Sequence, residues 1–210
     1  MQSYKITSSA GVTIEIARGH FSTGHSHINT YVDTTTLKAS HSECAAAAKQ
    51  LAAKYAYSTE VDTIVCIEGT EVIGAFLAEE LTKTGFRSMN SHQTIYVIPP
   101  DYNSSGQLIF RDNIRPMISG KNVLLLLADV TTGRTSAKCV EGVQYYGGKV
   151  CGVCALFSAV DQVGGYPVTA VFTTRENIPD YQAYDPHDCP FCKNNIKLEA
   201  LVNSFGYSKL

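Results

Sequence analysis

The sequence predicts an α/β fold with a doubly wound, mainly parallel sheet, and three observations carry that expectation. Strand-length apolar runs alternate along the chain with stretches whose apolar residues recur at helical spacing, as in a parallel sheet crossed over by helices. One run, VLLLLA at residues 123–128, is apolar throughout, as a central parallel strand covered on both faces must be. A length of 210 residues, 44% hydrophobic and 17% charged, gives one domain with a sizeable core and no disordered tail. The whole of 1–210 is therefore read as one domain, with a core at about 40–175, an N-terminal strand and loop segment at 1–39 and a C-terminal tail at 176–210.

The elements follow in chain order. VTIEIA at residues 12–17 alternates apolar and polar side chains and predicts a half-buried strand, followed by a loop rich in His, Ser, Thr and Gly. Residues 40–57 are alanine-rich with apolar positions at helical spacing and predict the first helix. A strand at 61–67 (VDTIVCI), a tight turn at Glu68-Gly69-Thr70 and a helical stretch EVIGAFLAEELTKTG come next, with Gly85 placed to end the helix. TIYVI at 94–98 predicts a strand stopped by Pro99 and Pro100, and the polar stretch DYNSSGQ behind them predicts an exposed loop or hairpin tip. The central strand leads through the loop DVTTGRT into a helix reaching about Tyr146, ended by Gly147 and Gly148. KVCGVCALFS makes the next strand, and PVTAVF at 167–172 makes the last.

Charge and composition exclude several classes. A net charge of -2 without a Lys/Arg cluster lacks the electrostatic footprint of a nucleic-acid binder. No apolar stretch approaches the roughly 20 residues of a membrane helix, and MQSYKITSSAG lacks the pattern of a signal peptide, so the expectation is a cytoplasmic protein away from membranes. Seven cysteines, an odd number scattered through core segments, fit a reducing compartment.

In such sheets ligands bind beyond the carboxyl ends of the strands, which directs attention to the loops after Ile67 and Ala128. The second loop, Asp129-Val130-Thr131-Thr132-Gly133-Arg134-Thr135, offers hydroxyls, a glycine for close backbone approach and then a helix N-terminus, which together favour a phosphate. An ordinary turn with a Thr or Ser N-cap accounts for the same residues. There is neither a G-x-x-x-x-G-K-[ST] loop nor a G-x-G-x-x-G fingerprint, so nucleoside triphosphates and dinucleotides lack their motifs.

VLLLLADVTTGRTS resembles the phosphoribosyl pyrophosphate (PRPP) motif of type I phosphoribosyltransferases, and the chain is most similar to the orotate phosphoribosyltransferase-like members. Glu68-Gly69-Thr70 is similar to that family's pyrophosphate-binding loop, and GHFSTGHSHINTYVD at 19–33 looks like the segment near the start of the orotate enzymes. The resemblance covers about residues 19–172. It implies the type I fold with small N- and C-terminal additions, and transfer of phosphoribose from magnesium-bound PRPP to a nucleobase, orotate being the first candidate. It implies that Thr131, Thr132, Gly133, Arg134 and Thr135 wrap the 5-phosphate, that Asp129 accepts hydrogen bonds from the ribose hydroxyls as the catalytic acid, and that Glu68, Gly69 and Thr70 face the pyrophosphate. Mg2+ bound with PRPP is the implied cofactor, and a homodimer the implied assembly.

Three departures accompany the resemblance. Counting along the strand puts Ala128 where the first of the motif's two acids belongs, with the loop one residue short, whereas anchoring on Thr131-Thr132-Gly133 displaces Asp129. The stretch PPDYNSSGQ at 99–107, where the family carries a basic mobile loop, has no Lys or Arg, leaving Arg111, Arg115 or Arg134 to supply charge to a departing pyrophosphate. The helix arginine that meets the orotate carboxylate is replaced near Ala137 and Lys138, and Lys138 is the candidate base-binding residue. These departures sustain a second reading, a non-catalytic PRPP- or nucleotide-binding regulatory protein on the same fold.

Two cysteine pairs invite a metal reading. Cys151 and Cys154 lie on a strand, where residues three apart point to opposite faces, which predicts core packing. In His187-Asp188-Cys189-Pro190-Phe191-Cys192 the C-x-x-C is half of a zinc site or a pair of free thiols on a turn, with His25 or His27 as the nearest distant ligand. No metal-ligating set is assigned from sequence. A metal-dependent hydrolase using His25, His27, Cys189 and Cys192 is the third reading. The final NSFGYSKL reads as a docked tail.

Overall fold

The computed structural model describes residues 2–83, 88–91 and 94–210, so the helix stop expected at Gly85 lies outside the described residues. Strands β1 (Gln2–Thr7), β2 (Thr13–Ser22) and β3 (His27–Asp33) open the chain as antiparallel neighbours. Helices α1 (Thr35–Ala39) and α2 (His41–Tyr55) lead to β4 (Thr63–Cys66), α3 (Glu71–Lys83) and β5 (Tyr96–Ile98). A hairpin of β6 (Asp101–Tyr102) and β7 (Leu108–Ile109) precedes β8 (Asn122–Val130), α4 (Arg134–Tyr145), β9 (Lys149–Ser158), β10 (Gln162–Val163) and β11 (Tyr166–Thr173). The chain ends in β12 (Ala183–Tyr184), the short α5 (Pro190–Lys193), β13 (Ala200–Asn203) and β14 (Gly206–Lys209).

The main sheet has the order β10-β11-β9-β8-β4-β5, parallel throughout except where β10 turns back on β11. β8 is central, and its alternation sorts its leucines. Leu124 and Leu126 join the core formed with α2 and α3, including Leu51, Tyr55, Ile73 and Leu77. Val123, Leu125 and Leu127 join the core under α4, with Val140 and Val143. A sheet buried on both faces is what a continuously apolar strand requires, and the expected doubly wound core is present in side-chain terms. Leu125→Ala, at a fully buried position, is expected to lower unfolding stability by about 2–5 kcal/mol through lost transfer energy and a cavity. Urea denaturation reads it directly, and a loss below about 1 kcal/mol would deny β8 its central place.

β9 corrects the expectation for its two cysteines. Val123 pairs with Val150 but Leu124 with Gly152, so Cys151 is an extra residue in the ladder. Such a bulge shifts the side-chain alternation by one. Cys151 and Cys154 therefore both pack on the α2–α3 core rather than on opposite faces. Burial pushes the Cys151 thiol up to about 12 and raises Cys154 well above the ordinary thiol range, as expected of inert core thiols.

The second correction concerns the ends of the chain. β11 is not the last strand, and the tail is more than a docked appendage. β12 pairs with β3, β13 runs parallel to β2 with Ala200 opposite Phe21, and β14 pairs with β13. Both terminal segments thus build one further six-stranded sheet, β12-β3-β2-β13-β14 with β1 also on β2. β2 pairs with β3 along one edge, its register shifting between Arg18 and Phe21, and shares its other edge between β1 before the shift and β13 after it. Ile14, Ile16 and Phe21 of this sheet bury into the α2–α3 core, which fixes the terminal sheet against the main one. No described helix is long and apolar enough to cross a membrane.

Candidate functional site

β8 ends at Val130, and the chain turns through Thr131 and Thr132 into α4. Gly133 is the N-cap residue, with φ +76°, a left-handed conformation that glycine adopts without steric cost. No side chain caps the helix and its first turn carries no acid, so the expected alternative of a Thr or Ser N-cap is not realised. The amides at the start of α4 are left without a side-chain acceptor, at the positive end of a 12-residue helix. That arrangement favours an anion.

These residues open onto a cavity of about 240 Å³. Glu68, Asp129, Thr131, Thr132, Gly133, Arg134 and Thr135 all line it. Its other wall is apolar and aromatic, with Ile28, Tyr31, Phe157 and Tyr181. A second cavity of about 370 Å³ adjoins it, sharing Glu68 and Thr135 and adding Gly69, Tyr102 and Phe205. Gly69 thus faces the second space.

The turn after β4 is conformationally unusual, because Glu68 and Gly69 both have positive φ, +63° and +81°. A non-glycine residue held there costs on the order of 1 kcal/mol and persists only where its surroundings impose it. Thr70 departs from its expected role. It is fully buried, and its hydroxyl donates to the carbonyls of Ile67 and Leu126, both at 3.1 Å, which spends the side chain on holding the turn.

Beneath this turn lies Lys38, unnoticed in the sequence because the stretch before the first predicted helix carries no motif. Its ammonium is buried and donates to the backbone carbonyls of Glu68 (2.8 Å) and Ser204 (2.5 Å), with the Phe205 ring 5.0 Å away. Burial lowers its pKa, opposed by the charges of Glu68 and Asp129. Burial also pushes the Glu68 carboxyl up to about 7, reinforced by the neighbouring Asp129 charge and opposed by Ser204 and Lys38. Asp129 is raised by burial as well, against the same two groups. Among the described residues, two buried side-chain polar atoms lack a hydrogen-bond partner, Glu68 Oε2 and Tyr181 Oη, and both residues line the first cavity. Buried polar groups are nearly always satisfied, so these two atoms are open to a partner from the cavity.

The remaining candidates fall elsewhere. Lys138 is exposed on α4 and outside both cavity linings, which gives it no contact with a base there. Arg111 is paired with Asp101 at 2.7 Å and Arg115 with Asp112 at 3.4 Å, both in solvent. Arg134 is exposed but borders the first cavity. The expected loop at 99–107 is the β6–β7 hairpin, its tip held by Asn103 Oδ1 accepting from the amides of Ser105 and Gln107, both at 2.9 Å. Ala128 is fully buried, so the first acid position of the motif is filled by core.

No protein-family model matches the chain. Its curated relatives include an orotate phosphoribosyltransferase of Sorangium cellulosum, 29% identical over 120 residues, covering 54% of this chain and 62% of the relative. An orotate phosphoribosyltransferase of Pelotomaculum thermopropionicum is 35% identical over 77 residues, covering 37% of this chain and 39% of the relative. The chain thus spans less than two thirds of the length of these relatives. Among solved structures, Leishmania donovani UMP synthase superposes with a TM-score of 0.55 at 18% identity, covering 86% of this chain and 36% of that one. The orotate phosphoribosyltransferase of Aeropyrum pernix gives 0.52 at 18% identity, covering 76% and 88%. The fold is that of the type I phosphoribosyltransferases, and the sequence is similar to the orotate enzymes.

Proposed function

We propose that this protein is a phosphoribosyltransferase, a pentosyltransferase that moves phosphoribose from PRPP to a nucleobase, orotate first, and releases pyrophosphate. The observation that carries this reading is the uncapped, glycine-turned N-terminus of α4 opening on a cavity that also holds Glu68 and Asp129. The 5-phosphate takes hydrogen bonds from the amides and hydroxyls of 131–135, and Asp129 accepts from the ribose hydroxyls. The base lies against Tyr31, Phe157 and Tyr181, where the unpartnered Tyr181 hydroxyl meets its polar edge. A ring nitrogen of the base forms a bond to the ribose anomeric carbon as the bond to pyrophosphate breaks, and the nitrogen's proton leaves to the pyrophosphate or to solvent. The protein contributes by positioning and by excluding water.

The donor set fits a hard cation: Glu68 has a buried oxygen without a partner, and Asp129 is electrostatically linked to it. Glu68 and Asp129 would hold Mg2+ together with PRPP, Glu68 compensating for the acid absent at Ala128. Magnesium would supply neutralisation of the charge on the departing pyrophosphate. A homodimer belongs to the same reading.

Protonation provides a test. A carboxyl raised to about 7 in the fold and near 4.5 when free contributes stability below about 4.5 that is lost as pH rises through 7. Ionising it to meet a cation expels that proton. Binding of PRPP with Mg2+ at pH 6 is therefore expected to release protons, read by calorimetry in buffers of different ionisation enthalpy, and release should fall in Glu68→Gln. Proton uptake would contradict the assignment.

One observation favours a second reading, a non-catalytic PRPP- or nucleotide-binding protein. The β6–β7 hairpin carries no Lys or Arg at its tip, and Arg111 and Arg115 are already paired with acids. Pyrophosphate release on adding PRPP, Mg2+ and orotate, then other bases, separates the two. Turnover supports the transferase; saturable binding with no turnover on any base supports the binding protein.

A further inference from the structure

We propose that His20, His27, Cys189 and Cys192 form a structural zinc site that fastens the C-terminal segment to the β2–β3 hairpin. Their ligand atoms all lie within 4.8 Å of one another. His20 Nε2 stands 3.1 Å from His27 Nδ1, 3.5 Å from Cys189 Sγ and 3.8 Å from Cys192 Sγ, and His27 Nδ1 stands 3.4 Å from Cys192 Sγ. Around a tetrahedral zinc with bonds of about 2.05 Å to nitrogen and about 2.3 Å to sulfur, two nitrogens stand about 3.4 Å apart and a nitrogen and a sulfur about 3.6 Å apart. Four of the six ligand-atom pairs therefore already stand within a few tenths of an ångström of tetrahedral spacing.

The outer contacts agree. His20 Nδ1 lies 2.8 Å from the Ile196 carbonyl, which accepts from a protonated Nδ1 and so leaves the Nε2 lone pair aimed into the cluster. The Phe191 ring stacks on His20 with centroids 5.0 Å apart and covers one side. Local structure explains the convergence. His20 sits at the register shift of β2, where a bulge re-aims a side chain, and His27 starts β3 opposite Ser22. Cys189 is the N-cap residue of α5 with Pro190 behind it, and this turn brings Cys192 round to the same point. Cys189, His20 and His27 are buried while Cys192 is exposed, giving the ion an entry path.

Two thiolates and two imidazoles in a tetrahedron select zinc over a hard cation. All four positions come from protein, and none of the four residues lines either cavity, so the site is structural and the hydrolase reading has no open coordination position. His25 and His187 are exposed and stand outside the cluster. The clamp bears on the cavity through chain geometry: the Glu199 amide donates to the His20 carbonyl at 2.8 Å, Ala200 pairs with Phe21, and the segment then delivers Ser204 to Lys38 and Phe205 over Gly69.

Metal analysis of the purified full chain is expected to give about one zinc per chain. Reconstitution of chelator-treated protein with cobalt is expected to give the strong visible absorption of a tetrahedral sulfur-nitrogen site. His27→Ala and Cys192→Ser should each lose the zinc and the cobalt spectrum, while His187→Ala keeps both. The wild-type result does not depend on whether a variant folds. Zinc-free protein that shows no tetrahedral cobalt spectrum, or a native Cys189–Cys192 disulfide, would overturn the proposal, and either result would leave the phosphoribosyltransferase reading untouched.

Discussion

Asp129→Asn is expected to weaken PRPP binding by about 10- to 150-fold, the worth of charge-assisted hydrogen bonds to a carboxylate. The change keeps the shape of the side chain and removes its charge, so it separates electrostatics from packing. It also removes one of the influences that raise the Glu68 carboxyl. Glu68 should then ionise at lower pH, and proton release on binding should fade at pH 6. Titration calorimetry reads both effects together. Unchanged affinity with unchanged proton release would mean that Asp129 does not face the ligand.

Lys38→Met is expected to destabilise the fold by about 3–5 kcal/mol, the cost of breaking a buried charge arrangement by removing one partner. Two backbone carbonyls, of Glu68 and Ser204, lose their donor, and the buried carboxyls of Glu68 and Asp129 lose a nearby positive charge. The methionine fills much of the same space, so the loss is chiefly polar. Because Lys38 links the β4–α3 turn to the C-terminal segment, the variant should also expose that segment to proteases. Thermal unfolding and limited proteolysis measure the two effects, and a loss below about 1 kcal/mol would show that the ammonium is not a structural tie.

The core elements were legible because their patterns are long and regular. The continuously apolar 123–128 run, the alanine-rich helix and the KVCGVCALFS strand each declare their period over many residues. The terminal sheet was not legible because β12, β13 and β14 are two to four residues long, and β12 and β13 pair with strands far away in the chain. A pairing such as Ala200 with Phe21 leaves no local signal. For the same reason the C-x-x-C could be noticed while His20 was missed: a strand histidine becomes a ligand candidate only after a bulge has turned it toward a segment about 170 residues later.

Around the cavity, the candidate loop at 131–135 could be read because a strand, a glycine turn and a helix start are consecutive in sequence. Lys38, Ser204 and Tyr181 could not, since three separate segments bring them together and none carries a motif. Thr70 and Lys138 show the converse. Both occupy plausible positions along the chain, but Thr70 turns its hydroxyl inward to two carbonyls and Lys138 faces solvent. Their side-chain directions depend on tertiary packing.

The most direct test of a PRPP site at the α4 N-terminus is a calorimetric titration of the full chain with PRPP in the presence of Mg2+. Saturable binding of one PRPP per chain, weakened in Thr132→Ala and in Asp129→Asn, is the predicted result; no binding, or binding indifferent to both substitutions, would contradict it.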